Sequence, residues 1–136
     1  MKKLLCSRKG EGYIDTCVSI IVFVMIMVVA INVFSFITLK TEMDEICDEL
    51  IETATFTGEF GSDFWDRDGE LLDDYYYYDI DTSAEKFFNT GYQRVQLGDT
   101  MTVKIEVQTY LKGFGALRIP VTVSVQKSGI SEKYWK

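Results

Sequence analysis

The chain has 136 residues, of which 47% are hydrophobic and 26% charged, and its formal net charge is −7. This length suits one domain. The sequence contains no histidine, which excludes the Ser-His and Cys-His arrangements of nucleophilic catalysis. It also lacks the glycine-rich phosphate-binding motifs of nucleotide-binding proteins, so we expect neither enzymatic activity nor a cofactor.

The charge is distributed unevenly along the chain. Residues 1–40 carry a net charge of +3, residues 41–99 carry −14, and residues 100–136 carry +4. The acidic middle disfavours nucleic-acid binding, which needs a basic surface. Two interpretations remain open for this pattern. The acids form a solvated exterior, or the acidic middle of one subunit meets the basic end of another.

An uncharged apolar segment follows a basic N-terminus. From Thr16 to Leu39 there are 24 residues without Asp, Glu, Lys or Arg, and as a helix they would extend about 36 Å. Because the hydrocarbon core of a bilayer is about 30 Å thick, we expect residues 16–39 to span a membrane. Basic flanks favour the cytoplasmic side, so the N-terminus is expected inside and the remainder outside. The basic residues before the segment are Lys2, Lys3, Arg8 and Lys9.

The helix is expected to continue beyond the membrane. Met43, Ile46, Leu50 and Ala54 recur at spacings of three and four, which is typical of an amphipathic helix with one apolar face. No proline or glycine interrupts residues 13–57, and Gly58 is a common type of helix stop. We therefore predict one continuous helix over residues 11–58.

Residues 59–91 mix glycines, acids and aromatic side chains. The four consecutive tyrosines, residues 75–78, suit a short strand, and residues 83–89 are compatible with one helical turn. Most of the aromatic side chains here are expected to fill a small core.

A metal site in this region has only weak support. The acids do not fit the ligand spacing of an EF-hand loop, and a solvated acidic loop is the simpler interpretation. The weak candidates for a looser site are Asp63, Asp66, Asp68 and Glu70.

The C-terminal third alternates between apolar and polar residues. This alternation predicts half-buried strands over residues 101–111 and 117–127, joined by a hairpin loop at residues 112–115. A shorter strand near residues 92–97 would precede a turn at Gly98-Asp99, giving an antiparallel meander. Residues 59–136 are thus expected to form an extracytoplasmic domain.

The apolar face of this sheet must be covered, and the amphipathic helix is the available cover. We predict that Ile46 and Leu50 pack on the face carrying Val103, Ile105, Ile119 and Val123. The predicted fold class is α+β, in which a long N-terminal transmembrane and amphipathic helix packs on a small C-terminal antiparallel sheet.

The start of the chain carries a motif. A basic leader over residues 1–10, a glycine at Gly10, an acid five residues later at Asp15 and a long apolar helix together resemble a type IV prepilin. The resemblance implies cleavage between Gly10 and Glu11 by a prepilin peptidase, which makes Asp15 the fifth residue of the mature chain. Two features differ, because the family usually has glutamate at the fifth position and an apolar or small first residue.

The short leader and the ending SGISEKYWK are most similar to tight-adherence (Tad) pilin-like proteins of Gram-positive bacteria. The resemblance implies a structural subunit of a type IV or Tad-type filament or pseudopilus. Such a subunit is held in the cell membrane as a precursor. It then self-associates through its N-terminal helix, with the pilus assembly machinery, into an extracellular filament. Major and minor subunits share these features, and so do the subunits of machines for adhesion, secretion and DNA transfer.

The position of Asp15 needs a physical explanation, whichever family the chain belongs to. A carboxylate at the edge of the hydrocarbon is costly unless it is paired, and cleavage would create an α-amine able to pair with a neighbour's Asp15. The simpler interpretation leaves Asp15 among the lipid headgroups. The alternative function is a single-pass anchored ectodomain that binds a partner and does not polymerise.

Overall fold

The computed structural model describes residues 9–75, 78–112 and 118–136. Its two helices are α1 (Lys9–Thr57) and α2 (Ser62–Leu71). The five strands are β1 (Tyr78–Ala84), β2 (Phe87–Asn89), β3 (Arg94–Val95), β4 (Thr100–Lys112) and β5 (Arg118–Ile130). Most of the basic leader, two of the four tyrosines and the hairpin loop after Lys112 lie outside the described residues.

Helix α1 dominates the molecule, with 49 residues and a length of about 74 Å. From Thr16 to Leu39 the helix is apolar on every side, and its second half carries one apolar face. Fully buried residues recur along that face at Met43, Cys47, Leu50 and Ala54. The N-terminal part of this helix is therefore exposed, whereas its C-terminal part forms one wall of a core.

The main sheet is antiparallel, with the strand order β1-β4-β5. Strands β4 and β5 pair from Thr100↔Ile130 to Lys112↔Arg118, and they overlap the expected strands at 101–111 and 117–127. Alternate residues of β4 point at the helix, which buries Met101, Val103, Ile105 and Val107. A long helix packed on a small antiparallel sheet is the α+β arrangement predicted from the sequence, and that prediction is confirmed.

The core joins the second half of α1 to both long strands. Leu50, Val103, Ile105 and Val123 are buried as expected, and Ile46 is partly buried against them. The expectation is wrong for Ile119, which is 56% exposed, because it lies near the hairpin end of β5, beyond the amphipathic face of α1. We call the unit formed by residues 43–75, 78–112 and 118–136 the folded domain.

Residues 59–95 differ most from expectation. Helix α2 was not predicted, and the single helical turn expected over 83–89 is wrong, because this stretch contributes to β1 and β2. The strand expected at 92–97 is reduced to β3, which pairs with β2 in a separate two-stranded sheet. Strand β1 instead occupies the second edge of β4, from Tyr78↔Val107 to Ala84↔Met101. A meander of consecutive strands is therefore replaced by a sheet that skips β2 and β3.

Gly58 ends α1 and anchors the C-terminal tail. Its amide donates to the Ala54 carbonyl at 2.8 Å, and its φ of +70° is the left-handed conformation that glycine adopts without strain. The Gly58 carbonyl accepts hydrogen bonds from the Val95 amide at 2.8 Å and from the Trp135 indole at 3.2 Å. The helix end is thus the point where β3 and the tail meet.

Replacing Gly58 with alanine is expected to lower the free energy of unfolding by about 1–3 kcal/mol, since a side chain is strained at positive φ. The new methyl group would also lie 2.3 Å from Cβ of Lys133. Denaturant unfolding, followed by tryptophan fluorescence, measures the change. Gly69 is the matched control, because it lies inside α2 with no atom within 4 Å of an added Cβ. Gly69→Ala should stabilise by about 0.5–1 kcal/mol, and an equal response of the two variants would contradict the prediction.

Candidate functional site: the exposed N-terminal helix

The apolar half of α1 leaves its large hydrophobic side chains uncovered. Large apolar side chains are exposed around the whole circumference of this segment, including Tyr13 at 76%, Phe23 at 63% and Phe34 at 72%. Water does not stabilise such a surface, since every exposed apolar side chain forgoes its transfer free energy. In the described part of the chain, α1 is the one helix long and apolar enough to cross a membrane.

Three polar side chains of this segment donate hydrogen bonds to backbone carbonyls of the same helix. Thr16 donates to the Gly12 carbonyl at 2.7 Å, and Asn32 donates to the Val28 carbonyl at 2.8 Å. Thr38 makes the same kind of bond to Phe34, at 3.1 Å. Such bonds remove the cost of placing a hydroxyl or amide among hydrocarbon. These three polar residues are therefore compatible with membrane anchoring of the segment from Thr16 to Leu39.

Asp15 lies at the start of this surface and is exposed. Among the described residues, it forms no ion pair and no side-chain hydrogen bond within the chain. It precedes Met43, the first fully buried core residue, by 28 positions, or about 42 Å along the helix. Gly10 and Glu11, the predicted processing residues, lie in the first turns of α1. The structure thus separates the predicted assembly residue from the folded domain.

The four weak metal candidates are not brought together. Helix α2 places Asp63, Asp66 and Glu70 on its exposed side, whereas Asp68 points inward and is only 6% exposed. A spacing of two residues on a helix rotates Asp68 by about 200° from Asp66. Within the described residues, no three carboxylate or thiol side chains converge to hold a metal.

Within the folded domain, ion pairs that the sequence did not predict link α2 and β5 to the second half of α1. Lys127 on β5 lies 3.1 Å from Asp48 and 3.9 Å from Asp44. Arg67 on α2 pairs with Glu49 of α1 and lies 2.8 Å from Glu70. Part of the complementarity between the acidic middle and the basic end is therefore satisfied within one chain. The spacing of Asp44 and Asp48, four residues apart, was the available signal.

The contacts of Tyr75 and Asp68 help to fix the position of α2 and of the loop that follows it. The Tyr75 hydroxyl donates to the Glu42 carboxylate at 2.9 Å, and burial, together with this carboxylate, raises the pKa of Tyr75 to about 12. Burial also raises the pKa of Asp68, while a hydrogen bond from Tyr78 acts in the opposite direction. Oδ1 of Asp68 has no hydrogen-bond partner in the described part of the chain.

Replacing Asp68 with asparagine is expected to stabilise the folded domain at neutral pH. A raised pKa means that the folded state binds the proton more tightly than the unfolded chain does. The contribution of this carboxyl is therefore fully present below its ordinary pKa of 3.8 and is lost as pH rises through the raised value. The melting temperature of Asp68→Asn should exceed that of the parent at pH 7, and the gap should close towards pH 4. Asp66→Asn, at an exposed position nearby, should match the parent throughout, and a constant gap for Asp68→Asn would contradict the assignment.

The fold and its exposed helix define a class of protein: one apolar helix long enough to span a membrane, joined without interruption to a small α+β domain. The chain belongs to the family described as a domain of unknown function, DUF4320, whose model matches residues 20–136. The match begins after Asp15, so the residues of the cleavage motif precede it. No curated protein and no solved structure matches the chain.

Proposed function

We propose that this chain is a pilin-like structural subunit, held in the membrane as a precursor and assembled into a filament or pseudopilus. The observation that carries the proposal is the continuity of α1, in which an exposed apolar segment leads without a break into the core of a packed domain. A simple membrane anchor needs only a span and a linker. A rigid connection suits a subunit whose helix must place its domain in a fixed position relative to neighbouring copies.

The sequence motif and the structure support the same assembly route. Processing after Gly10 would leave Glu11 as the first residue and Asp15 as the fifth, at the exposed N-terminal end of the apolar surface. Neighbouring helices would then bury that surface against one another, with the folded domains outside. The proposed topology has the N-terminus in the cytoplasm and the folded domain outside the membrane. The role is structural rather than catalytic, and the proposed partners are a prepilin peptidase and the pilus assembly machinery.

The proposal predicts a mature chain that begins at Glu11. Glycine gives a protease access to the backbone without a side chain at the scissile bond, and the leader charges would hold this bond at the cytoplasmic face. Mass spectrometry of the intact protein, purified from membranes and from sheared filaments, identifies the N-terminus. Gly10→Val should block the cut, whereas Gly12→Val should leave it unchanged. An intact Met1 in assembled material would contradict the prediction and favour the anchored ectodomain that binds a partner.

A further inference from the structure

The β4–β5 hairpin extends back along α1 towards the membrane segment. At the far end of the domain, a side chain added at Gly129 would contact Thr55, and Lys127 reaches Asp44 and Asp48. Towards the other end of the hairpin, Thr109 and Tyr110 line, together with α1, an open pocket of about 460 Å³. The helix residues lining that pocket are Val28, Ile31, Asn32, Ser35, Phe36 and Leu39. The hairpin therefore runs beside residues that the sequence assigns to the membrane.

The length of the apolar segment gives the depth of this contact. Residues 16–39 extend about 36 Å as a helix, some 6 Å more than the hydrocarbon core. If the excess lies on the side of the folded domain, the hydrocarbon surface falls near Ser35. Val28 then lies about 10 Å below that surface, a depth that interfacial segments reach. The hairpin end is thus placed at the boundary between headgroups and acyl chains.

The surface of the hairpin end has the composition of a membrane interface. Tyr110 is 55% exposed and Ile119 is 56% exposed, although Ile119 occupies the same face of β5 as buried Val123 and Val125. Exposed tyrosine is typical of the headgroup level. Arg118, the first residue of β5, is also exposed. A guanidinium at the level of the lipid headgroups can pair with an anionic phosphate.

We propose that the part of the β4–β5 hairpin around Tyr110 and Ile119 is a second membrane contact, inserted among the phospholipids of the leaflet nearest the folded domain. Tyr110 and Ile119 lie at the headgroup and acyl boundary, and Arg118 binds a lipid phosphate. The hairpin then fixes the rotation and tilt of the domain on the membrane, which the helix alone leaves free. This inference depends on the membrane anchoring in the proposed function and is independent of filament assembly.

Fluorescence quenching by brominated acyl chains tests the contact in the full-length chain reconstituted into phosphatidylcholine and phosphatidylglycerol vesicles. The native tryptophans, Trp65 and Trp135, provide the background in the parent. Tyr110→Trp is expected to add fluorescence of which about half is quenched, as for a residue at the interface. Tyr134→Trp, in the exposed tail after β5, should add fluorescence that is not quenched. Phe23→Trp, within the membrane segment, should be quenched most.

The three variants separate the two proposals. If Phe23→Trp is strongly quenched but Tyr110→Trp is quenched no more than Tyr134→Trp, the hairpin contact is overturned and membrane anchoring stands. Absence of quenching at Phe23→Trp would overturn both. The anionic component is tested by adding Arg118→Gln to Tyr110→Trp. The quenching should fall towards the value in pure phosphatidylcholine vesicles, and unchanged quenching would overturn the phosphate contact.

Discussion

Replacing Leu50 with alanine is expected to lower the free energy of unfolding of the folded domain by about 2–5 kcal/mol. Leu50 is fully buried on the apolar face of α1 and belongs to the same core as Val103 and Ile105 of β4. Removing three carbon atoms there forfeits their transfer free energy and leaves a cavity between helix and sheet. Neither element collapses easily into that space, because β4 is held on both edges by β1 and β5.

The measurement is denaturant unfolding of the full chain in detergent micelles, followed by tryptophan fluorescence. Trp135 is a suitable reporter, because its indole donates to the Gly58 carbonyl at the end of α1. Phe56→Ala is the control on the same helix, since Phe56 is 74% exposed and its loss should change stability by less than about 0.5 kcal/mol. Equal changes in the two variants would show that the helix does not pack on the sheet as the structure describes.

The elements that the sequence predicts well are those with a strong local period. The apolar recurrence from Met43 to Ala54 gave the amphipathic half of α1, and strict alternation gave β4 and β5. Both signals come from the neighbours of each residue along the chain, since a helix or strand face repeats at a fixed interval. The packing of the apolar face of the helix on the apolar face of the sheet was therefore predictable.

The middle of the chain was less predictable for a physical reason. Strand β3 is drawn to the end of α1, where the Val95 amide donates to Gly58 and the Arg94 guanidinium lies 2.9 Å from a Glu59 carboxylate oxygen. It is therefore not available to pair with β4, and β1 takes that edge. These partners are distant in sequence, and no local sequence pattern predicts their contacts. The inward position of Asp68 depends in the same way on helix α2, a stretch that the sequence alone favours as a loop.

The sequence singles out Asp15 as a candidate assembly residue, and in that role its partner would belong to another copy of the chain. Asp15 is exposed and makes no ion pair among the described residues of its own chain. If copies pack with staggered helices, the α-amine created after Gly10 can approach Asp15 of a neighbour. That amine has a reference pKa near 8 and is mostly protonated at neutral pH. An ion pair between two copies would offset the cost of placing either charge beside hydrocarbon.

Asp15→Ala is therefore expected to reduce incorporation into filaments, since removing one partner of a buried pair costs about 3–5 kcal/mol. Asp15→Lys should assemble less well still, because two like charges would meet near a low-dielectric boundary. Asp15→Glu keeps the charge and should assemble at least as well as the parent.

Each variant is first checked for membrane insertion and cleavage, and sheared filaments are then quantified. Unfolding of the folded domain should be unchanged in all three, since its core begins about 42 Å from Asp15 along the helix. The paired measurements separate assembly from folding, because Leu50→Ala should weaken the folded domain and leave the helix contact chemistry intact. If Asp15→Ala and Asp15→Lys assemble as well as the parent, Asp15 is a headgroup-level flank, and the anchored ectodomain becomes the better explanation of the chain.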